Sequence, residues 1–108
     1  MRLDLGQLVS ALARTIDLVG IDEVHHGRRV AYMADIFAAR LGFAAAERAP
    51  LYRAALLHDC GVSSTEVHRN LVSELDWQDS ELHCRIGAER MAGFTPLAPL
   101  AATVRWHH

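Results

Sequence analysis

Nowhere in this chain do apolar residues alternate with a period of two for long enough to make a convincing strand. They recur at helical spacing almost throughout, which confines the chain to an all-α fold. Leu5, Leu8, Leu12, Ile16 and Val19 share one helix face, with Gly20 as a stop. A second helix is expected from about Asp22 to Leu41, with His26, Val30, Met33, Phe37 and Leu41 inward and Gly42 past its end. A third covers roughly Ala44 to Asp59, and Pro50 either kinks or restarts it.

The stretch GVSST reads as a loop, followed by a helix with Ser63 and Glu66 at capping-box spacing and a stripe of Val67, Leu71 and Leu75. DWQDS is the next connection, with Asp79 or Ser80 as N-cap. The helix beyond carries Leu82, His83, Ile86, Gly87 and Arg90 to a stop at Gly93. Thr95 and Pro96 form an N-cap and N1 pair for a last helix toward His108. The reading is a bundle of five to six helices. Residues 1–20 form an N-terminal helix that serves as a linker or dimer contact, and 21–108 form the core.

The 108 residues suffice for one core. A net charge of −2 argues against a basic groove for a nucleic-acid polymer or a polybasic membrane patch. No run approaches the ~20 apolar residues of a transmembrane helix, and MRLDLGQL lacks a signal-peptide pattern, which points to the cytoplasm. Two cysteines, Cys60 and Cys84, exclude a disulfide framework or a four-cysteine zinc site and read as small buried thiols. The seven histidines stand out, because imidazole is the commonest protein metal ligand.

Asp22 and His26, four apart, stack on one inward face. Taken alone, they read as a capping Asp and a core His. His58-Asp59 closes the apolar run AALL, and both side chains can reach one metal where a helix ends. Asp59 supplies a hard oxygen able to bridge two cations. His83 has Gly87 one turn later, which leaves space beside the imidazole or allows a close helix crossing. His107-His108 ends the apolar segment LAPLAATVRW, and at least one of the pair points inward. His25 and His68 are left as non-ligands. Together, Asp22, His26, His58, Asp59, His83, His107 and His108 exceed one tetrahedral zinc site and suit two or more divalent ions, Fe or Mn rather than Zn.

These motifs resemble the HD superfamily of metal-dependent phosphohydrolases, specifically its HD-GYP branch. HHGRRVA fits H-x-x-R-V, AALLHDCG fits A-x-L-L-H-D-x-G, HCRIGAERM fits H-x-x-x-G-x-x-x-[LM], and AATVRWHH fits A-x-x-[IV]-x-x-H-H. The resemblance implies an HD-domain helical bundle with a bi- or trinuclear centre. His26, His58, Asp59, His83, His107 and His108 match ligand positions, with Asp59 as bridge and His58-Asp59 central to catalysis. Asp22 falls where some members carry a Glu ligand. The implied chemistry is hydrolysis of a phosphodiester bond in a cyclic dinucleotide, chiefly cyclic di-GMP, in bacterial signalling. The implied partner is that small molecule, with a homodimer or an attached signalling domain besides.

Two departures accompany the match. Val62 stands where the family motif has Lys, and Arg85 is a candidate substitute by its proximity to His83. The GYP signature and a further Asp ligand do not follow His108, so the expectation is a C-terminally truncated domain that is weak or inactive by itself. The alternative expectation is a catalytically degenerate regulatory or protein-interaction module of HD type.

Overall fold

In the computed structural model, residues 2–18, 25–62, 73 and 80–108 are described. Among them every regular element is helical: α1 (Leu5–Asp17), α2 (His26–Arg40), α3 (Ala45–Leu57), α4 (Ser80–Ala92), a 3₁₀ turn (Ala98–Leu100) and α5 (Ala101–Arg105). None is long and apolar enough to cross a membrane. Asp22, Gly20, the Ser63–Glu66 capping box, the Val67 stripe, His68 and Asp79 lie outside the described residues.

Helix α1 starts where the Asp4 side chain accepts the Gln7 backbone N–H at 2.9 Å. Its buried face carries Val9 and Ala13, with Leu5 and Ile16 packed beside them, whereas Leu12 is exposed. The stripe is thus turned by about one residue from the expected one, since Val9 and Ala13 fit closely against the neighbouring helix. Val9 and Ala13 belong to the same core as the residues of α3.

The correction in α2 is larger. Gly27, Ala31 and Ala38 are its buried residues, while Met33, Phe37 and Leu41, expected inside, are exposed. Small residues decide the face. A Cβ on Gly27 would stand 2.8 Å from the Leu56 carbonyl oxygen, so α2 and α3 approach closely there. Bulky side chains on that face would force the helices apart. His25, just before α2, has φ 64°, a left-handed conformation in which histidine is enriched among non-glycine residues.

Helix α3 is the hub, in contact with α1, α2, the 3₁₀ turn and α5. Glu47 accepts the Ala44 backbone N–H at 2.8 Å at its start, and the helix runs through Pro50 without restarting. Its last turn buries Ala54, Ala55, Leu56 and Leu57. The final segment departs from expectation. Thr95 and Pro96 lie in turns rather than opening a helix, and the α-helical part is only Ala101–Arg105. Pro99 within the 3₁₀ turn lacks an N–H. Leu97, Leu100 and Val104 nevertheless close the core from this side.

Candidate metal centre

Four helix ends converge on Asp59. His26 is the first residue of α2, His58 and Asp59 follow the last turn of α3, His83 lies in the first turn of α4, and His107-His108 follow α5. Glycines set the approach. A side chain on Gly61 would collide with the His83 carbonyl and stand 2.7 Å from the Gly87 nitrogen, so the turn after Asp59 lies directly on α4. Gly87 in turn faces Val104, Cys60 and Gly61, and a Cβ there would sit 3.0 Å from Val104 Cγ1. Of the two readings of Gly87, the close crossing is the one observed.

The Asp59 carboxylate divides the cluster. Its Oδ2 lies 3.0 Å from His58 Nε2 and 3.5 Å from His26 Nε2. Its Oδ1 lies 3.6 Å from His83 Nε2 and 3.8 Å from His107 Nε2. Each oxygen therefore looks into its own set of donors. One set is His26, His58 and Asp59; the other is His83, Cys84, His107 and His108. His108 is exposed, with its ring centroid 4.6 Å from that of His107 and 4.9 Å from that of His83.

The donor chemistry fits cations. His58 Nδ1 is 2.7 Å from the Ala55 carbonyl and His107 Nδ1 is 2.6 Å from the Val104 carbonyl. A carbonyl only accepts, so both rings carry a proton on Nδ1 and turn Nε2, the nitrogen that would bind a metal, inward. Backbone carbonyls commonly orient metal-binding imidazoles in this way. Inside, His26 and His58 Nε2 are 3.3 Å apart, and His83 and His107 Nε2 are 3.1 Å apart. Facing lone pairs at that range need a proton or a cation between them.

Electrostatics follow from burial and from Asp59. Burial raises the Asp59 carboxyl, but the hydrogen bond and charge of His58, with His26 and His107, outweigh it and hold the pKa at about 2. Burial lowers His58, yet Asp59 leaves it above the ordinary imidazole value. Burial dominates at His83, pushed down to about 4, and also lowers His107. These two imidazoles are kept neutral, the state in which they donate to a metal.

A cleft of about 640 Å³ opens on the centre, with His26, His58, Asp59, His107 and His108 on one side. Val30, Leu51, Ala54, Ala55 and Trp106 supply an apolar wall. Arg85, the expected substitute for the family Lys, is exposed on α4 and lines a separate depression with Arg105. Val62 is half-buried in the turn after Asp59, its N–H donating to the Asp59 carbonyl at 2.9 Å. In the same turn, the Cys60 carbonyl accepts from Arg90 of α4.

Three residues at the site lie outside the sequence expectations. Cys84 reads from sequence only as a small buried thiol. Trp106 is 71% exposed at the cleft, with Arg105 stacked 4.4 Å from its ring centroid. Asp17 reaches from α1 to accept the Gly27 backbone N–H at 3.3 Å, beside His26. For Cys84 the available signal was its place next to His83; for Trp106 it was its place before the His pair. Asp17 has no such signal, because its contact depends on where α1 packs.

Comparison with known proteins agrees with this architecture. The HD domain family matches residues 24–108. The chain belongs to the HD domain family. Within it, the motifs and the relatives below mark the HD-GYP type. The chain is 33% identical over 105 residues to 3'3'-cGAMP-specific phosphodiesterase 1 of Vibrio cholerae serotype O1, covering 97% of this chain and 24% of that protein. It is 30% identical over 105 residues to 3'3'-cGAMP-specific phosphodiesterase 3 of the same organism, covering 94% and 23%. The chain thus spans about a quarter of the length of these curated relatives. No solved structure matches it.

Proposed function

We propose that this protein is a metal-dependent phosphodiesterase that opens a cyclic dinucleotide by hydrolysis. The observation that carries the reading is the Asp59 carboxylate, with one oxygen toward His26 and His58 and the other toward His83 and His107. His26, His58 and Asp59 would hold one divalent ion, and His83, His107 and His108, sharing Asp59, the second. When bound, such a pair supplies Lewis-acid stabilisation of phosphoryl oxygens and lowers the pKa of water for in-line attack.

The chain's own groups do the rest. Ala55 and Val104 carbonyls fix the His58 and His107 rings, and burial keeps His83 and His107 neutral. The apolar wall excludes water from one side of the cleft, and the open face of Trp106 offers a nucleobase a stacking surface. A cyclic dinucleotide has what this site matches: an anionic phosphodiester for the centre and a flat base for the wall. The names of the Vibrio cholerae relatives make 3'3'-cGAMP the first substrate to test, with cyclic di-GMP second.

Retention of the donor set inside an apolar bundle supports turnover over the regulatory alternative, since unpaired buried imidazoles and a carboxylate carry a stability cost. Asp22, outside the described residues, stays a candidate third-metal ligand, and an attached signalling domain or a homodimer remains part of the proposal. The test is an anaerobic assay of the metal-loaded protein on both dinucleotides beside Asp59→Ala. Linear product from the wild type and none from the variant is expected. Equal hydrolysis by the two would overturn the proposal.

A further inference from the structure

The two halves of the centre are not chemically alike, and the difference is Cys84. Its Sγ lies 3.7 Å from His83 Nε2 and 3.9 Å from His107 Nε2, which are themselves 3.1 Å apart. Asp59 Oδ1 lies 3.6 and 3.8 Å from the same two nitrogens. A tetrahedral ion bonded at ~2.0–2.3 Å sets its ligand atoms about 3.3–3.7 Å apart. These separations bracket that range, so the two nitrogens stand at ligand spacing to each other, to the sulfur and to the carboxylate oxygen. We propose that Cys84 is a thiolate ligand in the His83–His107 half of the centre.

A second observation concerns the ring of His83. His58 and His107 each donate from Nδ1 to the carbonyl three residues earlier, Ala55 and Val104. The corresponding carbonyl for His83 is that of Ser80, to which the Cys84 thiol donates at 3.3 Å, while His83 Nδ1, in a side chain only 2% exposed, makes no well-formed hydrogen bond among the described residues. As a metal ligand the thiol would lose its proton to solvent and turn its sulfur from the Ser80 carbonyl to the ion, leaving that carbonyl to the His83 ring alone, as the Ala55 and Val104 carbonyls serve the other two rings.

The consequence is a division of metal preference. A thiolate favours Zn or Fe over Mn, whereas the His26–His58–Asp59 half offers nitrogen and oxygen alone. The inference rests on the metal-centre reading, and its test separates the two. The protein is loaded anaerobically with Co(II), and cobalt content is measured alongside the near-ultraviolet absorption. Wild-type protein is expected to bind cobalt with a sulfur-to-cobalt charge-transfer band. Cys84→Ser should lose the band and weaken Zn binding in this half at least roughly tenfold. Cys60→Ser, the control at the chain's other thiol, should keep the band.

Bound cobalt with no band in the wild type, or a band that survives Cys84→Ser, overturns the assignment and leaves the metal centre standing. No cobalt uptake at all overturns both. Should the variant fail to fold, X-ray absorption fine structure of the Zn-loaded wild type decides. A sulfur neighbour at about 2.3 Å supports the assignment, and a shell of nitrogen and oxygen alone refutes it.

Discussion

The His26–His58 side of the centre and the His83–His107 side are built by the same device and end in different environments. Both use imidazoles delivered by helix ends to one oxygen of Asp59. The first side is open: the His26 side chain is 31% exposed and lines the cleft. The second is closed on its inner side, where the His83 side chain is 1% exposed with a buried thiol beside it, while His107 and His108 reach the same cleft. Glycines close that inner side, since Gly61 and Gly87 let the Asp59 turn lie against α4 without intervening side chains. Both halves thus meet the cleft, and the second is anchored in the core as well, with Asp59 common to both.

Breaking the shared element should have the largest effect. Asp59→Ala removes the carboxylate from both halves, and we expect loss of both ions and a fall in turnover of at least roughly 10³-fold. Elemental analysis and the dinucleotide assay check this. Gly61→Ala comes next, because the added methyl must displace the α4 backbone at His83. We expect destabilisation of about 3 kcal/mol, toward the upper end for overpacking, and loss of the closed half first, read by chemical denaturation with metal content.

Removing one ligand from each side sharpens the contrast. His26→Ala should cost one ion and little stability, whereas His83→Ala should cost one ion and also lower the melting temperature. Metal-free protein should show the asymmetry in its acid response. His83 has a folded pKa of about 4 against 6.5 when unfolded, so the unfolded state binds the extra proton between those values. Stability from this group is present above pH 6.5 and declines as pH falls toward about 4, measurable by thermal melts across that window. The smallest effect is expected at the rim. Trp106→Ala should raise KM about tenfold by loss of base stacking, with kcat and metal content near wild type.

Much of this was legible beforehand, and the residues show why. Helical spacing revealed the all-α class, and the four motifs carried His26, His58, Asp59, His83, His107 and His108, which the structure gathers at one place. Motif spacing fixes which residues meet because each lies at a helix end, where a shift of a residue does not turn it away. Faces were less legible. The larger side chains Met33 and Phe37 looked like core, but backbone contact at Gly27 with Leu56 selected the small-residue face instead. Hydropathy weighs a side chain's transfer energy, while a close helix crossing is decided by its volume. Cys84 escaped for a related reason. A buried thiol packs well anywhere, and only the positions of His83 and His107 around it give it another role.

Metal content of anaerobically loaded wild-type protein and of Asp59→Ala decides whether one carboxylate serves two ions. The wild type should hold two or more ions per chain and the variant fewer than one. One ion or none in the wild type, or an unchanged count after Asp59 is removed, would contradict the claim that this carboxylate joins two metal sites.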